Sequence, residues 1–219
     1  MSDWTLVIGN KNYSSWSLRA WLMLRHLELP FTELRIPLDT PEFHARIGAL
    51  SPSARVPALI AGKLTVWDSL AICEYAAEIA GSGWPAASDA RAVARAASAE
   101  MHSGFAALRA EWPMNVRAKR RDVAPSAAAA ADIARVDALW LDCRRRFGSG
   151  GPWLFGVYSV ADAMYAPVAC RFRTYGASGL GSESAQYLAT ALADPWLADW
   201  TRAAAAESEV VPHDEVGTP

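Results

Sequence analysis

The stretch SPSARVPALIAGKLTVWDSLAICEYAAE, residues 51–78, holds two short apolar runs, Ala58 to Ile60 and Leu64 to Val66. They flank Ala61-Gly62-Lys63, which predicts a tight antiparallel hairpin. Pro57 directly precedes the first run and cannot donate to a strand ladder, so it marks a strand start or edge. Asp68-Ser69 then opens a helix, with a side-chain oxygen free to cap it, and Gly81 stops it.

Upstream, Trp4 to Ile8 reads as a strand bounded by Gly9-Asn10. Residues 15–29 read as a helix: Trp16, Ala20, Met23, Leu24 and Leu27 keep helical spacing and Pro30 stops it. Residues 31–36 alternate with period two, like a strand. Thr40-Pro41-Glu42 starts a short helix that ends near Gly48. The order β-α-β-α-β-β-α gives a parallel pair followed by an antiparallel hairpin, the order of a thioredoxin-like α/β domain over residues 1–81.

Residues 82–88 read as a linker of small residues and proline, with Ser88 as the next helix cap. Beyond it alanine and arginine dominate and no strand is evident. Helices are expected at 89–111, 126–147, 159–175, 183–193 and 195–206, so residues 89–219 form an all-α helical domain. The alanine run 127–131 needs no special role, alanine being the best helix former. Ser159 and Asp162 have capping-box spacing, and residues 207–219 read as a loose polar tail.

The bulk numbers bound the function. With 219 residues the chain can bury a sizeable core, and 52% hydrophobic with 20% charged residues is globular composition. A net charge of −2 argues against a nucleic-acid partner. Two basic clusters, Arg117 with Lys119, Arg120 and Arg121, and then Arg144 to Arg146, are expected on solvated helix faces. Cys73, Cys143 and Cys170 are far apart and odd in number, which fits reduced, buried thiols and a cytoplasmic location. Met1-Ser2-Asp3 lacks the positive start of a signal peptide, and no apolar run reaches membrane-spanning length, so no membrane is expected. The four histidines show no metal-ligand spacing, so no metal is expected.

Three stretches can carry chemistry. Ser14 and Ser15 sit at a strand-to-helix turn, where unpaired N–H groups and a partial positive charge stabilise an anion, thiolate included. A cis bond before Pro57 would turn the Val56 N–H and C=O outward, toward an extended peptide. Asp68 and Ser69 can hold the ammonium and carboxylate of one amino-acid end. Each stretch by itself is more simply read as ordinary capping or strand-start chemistry.

Together, in this order, they resemble the cytosolic glutathione transferases. YSSWSLRAWLMLRHLELPF, residues 13–31, is similar to the first-helix region of the serine-type, zeta-like members. Residues 51–78 resemble the family's cis-proline segment and acid-Ser motif, and GPWLFGVYSVADAMYAPV, residues 151–168, resembles its sixth-helix signature. The resemblance implies a thioredoxin-like domain plus an all-α domain. It also implies glutathione as co-substrate, a small hydrophobic electrophile, a homodimer and a detoxifying conjugation. Residue by residue, it implies that Ser14, or Ser15 one step along, bonds the glutathione sulfur. Val56 with cis Pro57 would pair with the cysteinyl unit, Asp68 and Ser69 would hold the γ-glutamyl end, and Arg55 would contact the glycyl carboxylate.

Two departures bear on activity. Trp16 stands where the zeta pattern has cysteine, which removes a redox thiol and counts against that class's isomerase activity. Asp68 stands where Glu or Gln is usual, one methylene shorter. The electrophile pocket is sought at AEWPMNVR, residues 110–117, where Pro113 ends or kinks a helix and Trp112, Met114 and Asn115 are candidates; Tyr165 and Tyr175 are others. The expected function is conjugation of glutathione thiolate to an apolar electrophile. A non-catalytic scaffold or regulatory protein of the same fold, and a glutathione-dependent isomerase, are the alternatives.

Overall fold

The computed structural model describes residues 4–218. Met1-Ser2-Asp3 and Pro219 lie outside them. The first half is a four-stranded sheet of order β2-β1-β3-β4, built from β1 (Trp4–Ile8), β2 (Thr32–Arg35), β3 (Ala58–Ala61) and β4 (Leu64–Trp67). β1 and β2 are parallel, and β1–β3 and β3–β4 are antiparallel, with Leu6 opposite Leu59 and Ala61 opposite Leu64. The hairpin therefore turns through Gly62-Lys63, with Gly62 at φ 61 supplying the left-handed residue that a two-residue turn needs.

Helix α1 (Ser15–His26) lies on one face of this sheet with α3 (Ser69–Ala80), and α2 (Pro41–Leu50) covers the other. Leu18, Leu22 and Leu24 of α1 pack against Leu6, Ile8 and Leu59. α1 ends before the expected Pro30: Glu28 takes φ 54 and the Leu29 N–H closes on the Leu24 carbonyl, a left-handed cap. Thr40 caps α2 as expected, its Oγ1 accepting from the Phe43 N–H at 3.1 Å, but the helix runs on to Leu50 rather than ending near Gly48.

The regular elements of the second half are helices: α4 (Ser88–Ser103), α5 (Ala106–Glu111), α6 (Ala127–Phe147), α7 (Val160–Tyr175), α8 (Ser182–Leu192) and α9 (Pro195–Ala205). The single helix expected over 89–111 is two. Gly104 sits where a β-carbon would come within 2.7 Å of the Glu100 carbonyl, and Phe105 turns left-handed at φ 56, so the axis breaks there. Ser88 does not cap α4; Ala87 holds that position without a side-chain bond. The segment 82–88 is tied down, its Gly83 carbonyl accepting from Val160 N–H at 3.0 Å and Trp84 Nε1 donating to Glu74. Trp140, Tyr165, Phe172 and Tyr187 centre the helical core.

α7 joins the halves. Ala166 and Cys170 pack with the α1 face, beside Leu197 and Trp200 of α9. Its start is the expected capping box: the Ser159 side chain accepts from the Asp162 backbone and Asp162 answers to the Ser159 N–H at 2.9 Å. Asp162 also accepts from the Leu154 N–H at 3.0 Å. All three cysteines are free and buried, and burial pushes the Cys143 thiol up to about 12 and Cys170 to about 11. No described helix is long and apolar enough to cross a membrane.

The tail is the largest correction. Residues expected to be loose are docked: Val211 is buried, and Glu207 accepts from the Lys11 and Asn12 N–H groups at 2.8 and 3.1 Å. Arg117 and Arg121, expected on solvated helix faces, lie in the irregular segment 112–126 and clamp this tail. Arg117 donates to the Glu207 and Glu209 carbonyls, and Arg121 to the Gly217 carbonyl and the Glu215 carboxylate. In the second cluster Arg144 folds back onto the Gly148, Gly151 and Trp153 carbonyls, while Arg145 and Arg146 remain on the exposed face of α6. Glu207→Ala removes an acceptor from two amides of the first loop. Amide exchange at Lys11 and Asn12 should accelerate, and stability should fall by about 1–2 kcal/mol in chemical denaturation.

Candidate functional site

Two adjoining cavities lie where the sheet domain meets the helices. The larger, about 480 Å³, is lined by Ser14, Ser15, Val56, Met114, Arg109 and Arg171 among others. The smaller, about 290 Å³, is lined by Pro57, Trp67, Asp68, Ser69 and His102. Trp16, Arg55 and Val56 line both and so form the boundary between them.

The two serines divide their labour. Ser14 is the N-cap of α1: its Oγ accepts from the Ser17 N–H at 3.4 Å and donates to the Ser17 Oγ at 2.7 Å. Ser15 is the first helical residue, and its hydroxyl has no hydrogen-bond partner among the described residues. The preceding loop is held rigid from the helical domain. Asn12 Nδ2 donates to Asn115 Oδ1, Arg117 N–H donates to Asn12 Oδ1, and Trp200 Nε1 donates to the Lys11 carbonyl. Tyr13 is already engaged: its hydroxyl donates to Glu215 and accepts from Arg117, and burial with the Glu215 bond raises its pKa.

The Val56–Pro57 bond is cis. Neither the N–H nor the C=O of Val56 is bonded to any described group, although both flanking cavities are lined by this residue. Arg55 is exposed at the same rim.

Asp68 takes φ 88, an uncommon conformation for a residue with a β-carbon. Its Oδ1 accepts from Leu70 and Ala71 N–H at 2.9 and 3.1 Å, capping α3. Its Oδ2 lies 3.1 Å from Nε2 of His102, a residue of α4 with no sequence signal for this place. Ser69 Oγ is buried with no partner. This end of the site therefore offers a carboxylate oxygen shared with His102 and one unspent hydroxyl, that of Ser69, 1% exposed as a residue, at a helix start.

The electrophile candidates separate. Met114 lines the larger cavity with Pro113. Trp112 turns away: its Nε1 donates to the Val123 carbonyl and its ring stacks on Tyr175 at 5.4 Å. Asn115 is buried in the loop network, donating to Glu215. Tyr165 and Tyr175 are core residues whose hydroxyls donate to the Ala97 and Pro113 carbonyls. α5 ends at Glu111, two residues before Pro113, so the proline follows a helix end rather than kinking a helix. In place of Trp112 and Asn115 the wall is completed by Arg109, Arg171 and, from the tail, His213 and Asp214. Arg171 had a readable signal, a charge inside the apolar run YAPVAC-R-FRTY of α7; the tail residues had none. Among the described residues no cluster of His, Cys, Asp or Glu is arranged to hold a metal.

Residues 13–79 match the family model described as glutathione S-transferase, N-terminal domain. No curated protein matches. Among solved structures, a glutathione transferase homolog from Burkholderia gl BGR1 with bound glutathione is 21% identical. It covers 94% of this chain and 100% of its own at a TM-score of 0.70. A tau class glutathione S-transferase from mango, Mangifera indica, is 19% identical, with 93% and 96% covered and a TM-score of 0.68. A theta class enzyme from Xanthomonas axonopodis pv. citri with glutathione bound is 20% identical, with 94% and 99% covered and a TM-score of 0.64.

Proposed function

We infer the chemistry from two premises, the glutathione transferase fold and the match of residues 13–79 to that family's N-terminal model. We propose that this protein is a serine-type glutathione transferase, acting as a cytoplasmic homodimer. The observation that carries the reading is Val56, whose main-chain N–H and C=O are both unspent between the Ser15 hydroxyl and the Ser69 hydroxyl. An extended tripeptide laid across this edge gains two main-chain bonds at its middle residue. Its thiol then falls at the start of α1, and its γ-glutamyl end at Asp68 and Ser69.

The chemistry asked of the protein is modest. A thiol with a pKa of about 8.5 is only a few per cent ionised at neutral pH. Bringing it down by about 2 units needs ~2.7 kcal/mol of preferential thiolate stabilisation. One hydroxyl hydrogen bond to the charged sulfur and a helix N-terminus supply that. The sulfur attacks an electrophilic carbon held in the larger cavity: the C–S bond forms, the leaving group departs with its electron pair, and the thiol proton goes to solvent. No enzyme-bound covalent intermediate forms; catalysis is ionisation and positioning. The cysteines do not line either cavity, and burial holds them protonated.

Binding to immobilised glutathione, elution by free glutathione, and turnover of a model aryl halide test the reading. Binding with turnover is expected. Absence of both would leave a fold used for another purpose.

A further inference from the structure

We propose that the acceptor half of the larger cavity is an anion site, and that the second substrate is an apolar molecule bearing a carboxylate held by Arg109 and Arg171. This rests on the transferase reading for the word substrate, though not for the site itself.

Three guanidinium groups gather here without acidic partners. Arg171 is 3% exposed; its Nε donates to the Trp112 carbonyl at 2.8 Å, and its Nη1 is buried with no partner among the described residues. Arg19 is 1% exposed, lies 4.3 Å over the Trp16 ring, and has Nε and Nη1 both unpartnered. Arg109 sits 5.5 Å from the same ring, and the one hydrogen bond of its guanidinium among the described residues is a long 3.4 Å contact to the His102 carbonyl. None of the three is ion-paired in the described residues, although carboxylates elsewhere in the chain are. Burial and then mutual repulsion lower Arg19 to about 9 and Arg171 to about 10.

Buried cations left without anions are costly, and here one of them, Arg171, lines the cavity beside the half-buried Arg109. The acidic groups on the same walls, Asp39 and Asp214, form no ion pair with them among the described residues: Asp39 lies 3.6 Å from His213, and Asp214, although it feels the charge of Arg171, is raised by burial. The remaining lining includes Leu38, Phe43, Pro113 and Met114. An occupant that satisfies this wall has an apolar body and a planar anion at the helical-domain end, the geometry a guanidinium fork prefers. A simple neutral hydrophobe would leave Arg171 Nη1 unsatisfied.

The test is calorimetric titration with meta-nitrobenzoate and its neutral isostere meta-nitrobenzamide, with and without saturating glutathione. The carboxylate should bind at least about tenfold tighter than the amide. Arg109→Gln should erase that preference and Arg109→Lys should restore part of it, since Arg109 lies on a short, partly exposed helix and its replacement spares the core. Glutathione should leave the preference intact. Equal affinity for the two compounds, or no binding of either, would overturn the proposal. So would complete displacement of nitrobenzoate by glutathione, because the arginines would then hold one of the tripeptide's own carboxylates. A protein that binds nitrobenzoate as expected yet ignores glutathione keeps the anion site and loses the transferase reading.

Discussion

Replacing Ser15 by alanine will raise the pKa of bound glutathione and lower kcat/KM at neutral pH by about a hundredfold. Ser14→Ala will instead lower stability by about 1 kcal/mol with little change in the bound thiol. The two adjacent hydroxyls differ in what they already do. That of Ser14 is committed twice to Ser17, through its N–H and its Oγ. That of Ser15 is uncommitted at the mouth of the cavity. A thiolate absorbance titration with saturating glutathione reads the first effect, and urea denaturation the second. If Ser14→Ala raises the thiol pKa and Ser15→Ala does not, the assignment is reversed. If neither moves it, the helix start has no part in ionisation.

Asp162→Ala should be the most damaging single change to the fold, at about 3–5 kcal/mol by denaturation. The carboxylate is 2% exposed and accepts from Leu154 N–H, Ser159 N–H and Ser159 Oγ, all within 3.0 Å. Alanine leaves two buried amides without acceptors and opens the start of α7, the helix on which both halves of the molecule pack. The same residue has a pH signature. Burial raises its pKa from 3.8 to about 6, against the pull of those hydrogen bonds. Between these values the folded state binds the proton more tightly than the unfolded chain, so this group's contribution is full in acid and is lost as pH rises through about 6. Asp162→Asn removes the titration. The stability of the parent relative to Asp162→Asn should therefore increase from about pH 7 to pH 5. A pH-independent difference would show that the carboxyl does not titrate there.

What the sequence made legible was local. The Ser159-x-x-Asp162 box, the Thr40-Pro41 start and the Leu64–Trp67 hairpin partner depend on neighbours within a few residues, and each formed as read. The break at Gly104 and Phe105 had a cue in Ser103-Gly104, poor helix formers, but the left-handed turn of Phe105 at φ 56 had none. The tail failed for another reason. Polar composition is the same whether a segment is solvated or paired, and Glu207 finds its partners at Lys11 and Asn12, nearly the whole chain away. Trp112 and Asn115 were misplaced because the sequence locates the irregular segment 112–126 but not which of its side chains turn inward.

The docked tail divides the site by origin. The groups proposed to hold the tripeptide come from residues 14–69, whereas part of the opposite wall comes from His213 and Asp214, on a segment fastened by side-chain clamps rather than by a helix. Its hold on the sheet half runs through a few groups: Glu207 reaches Lys11 and Asn12, Glu209 pairs with Arg35 of β2, Glu215 accepts from Tyr13, and Val211 is buried. Under the proposed transferase reading, a change at His213 or Asp214 would reshape the acceptor wall while leaving the groups proposed for the tripeptide in place.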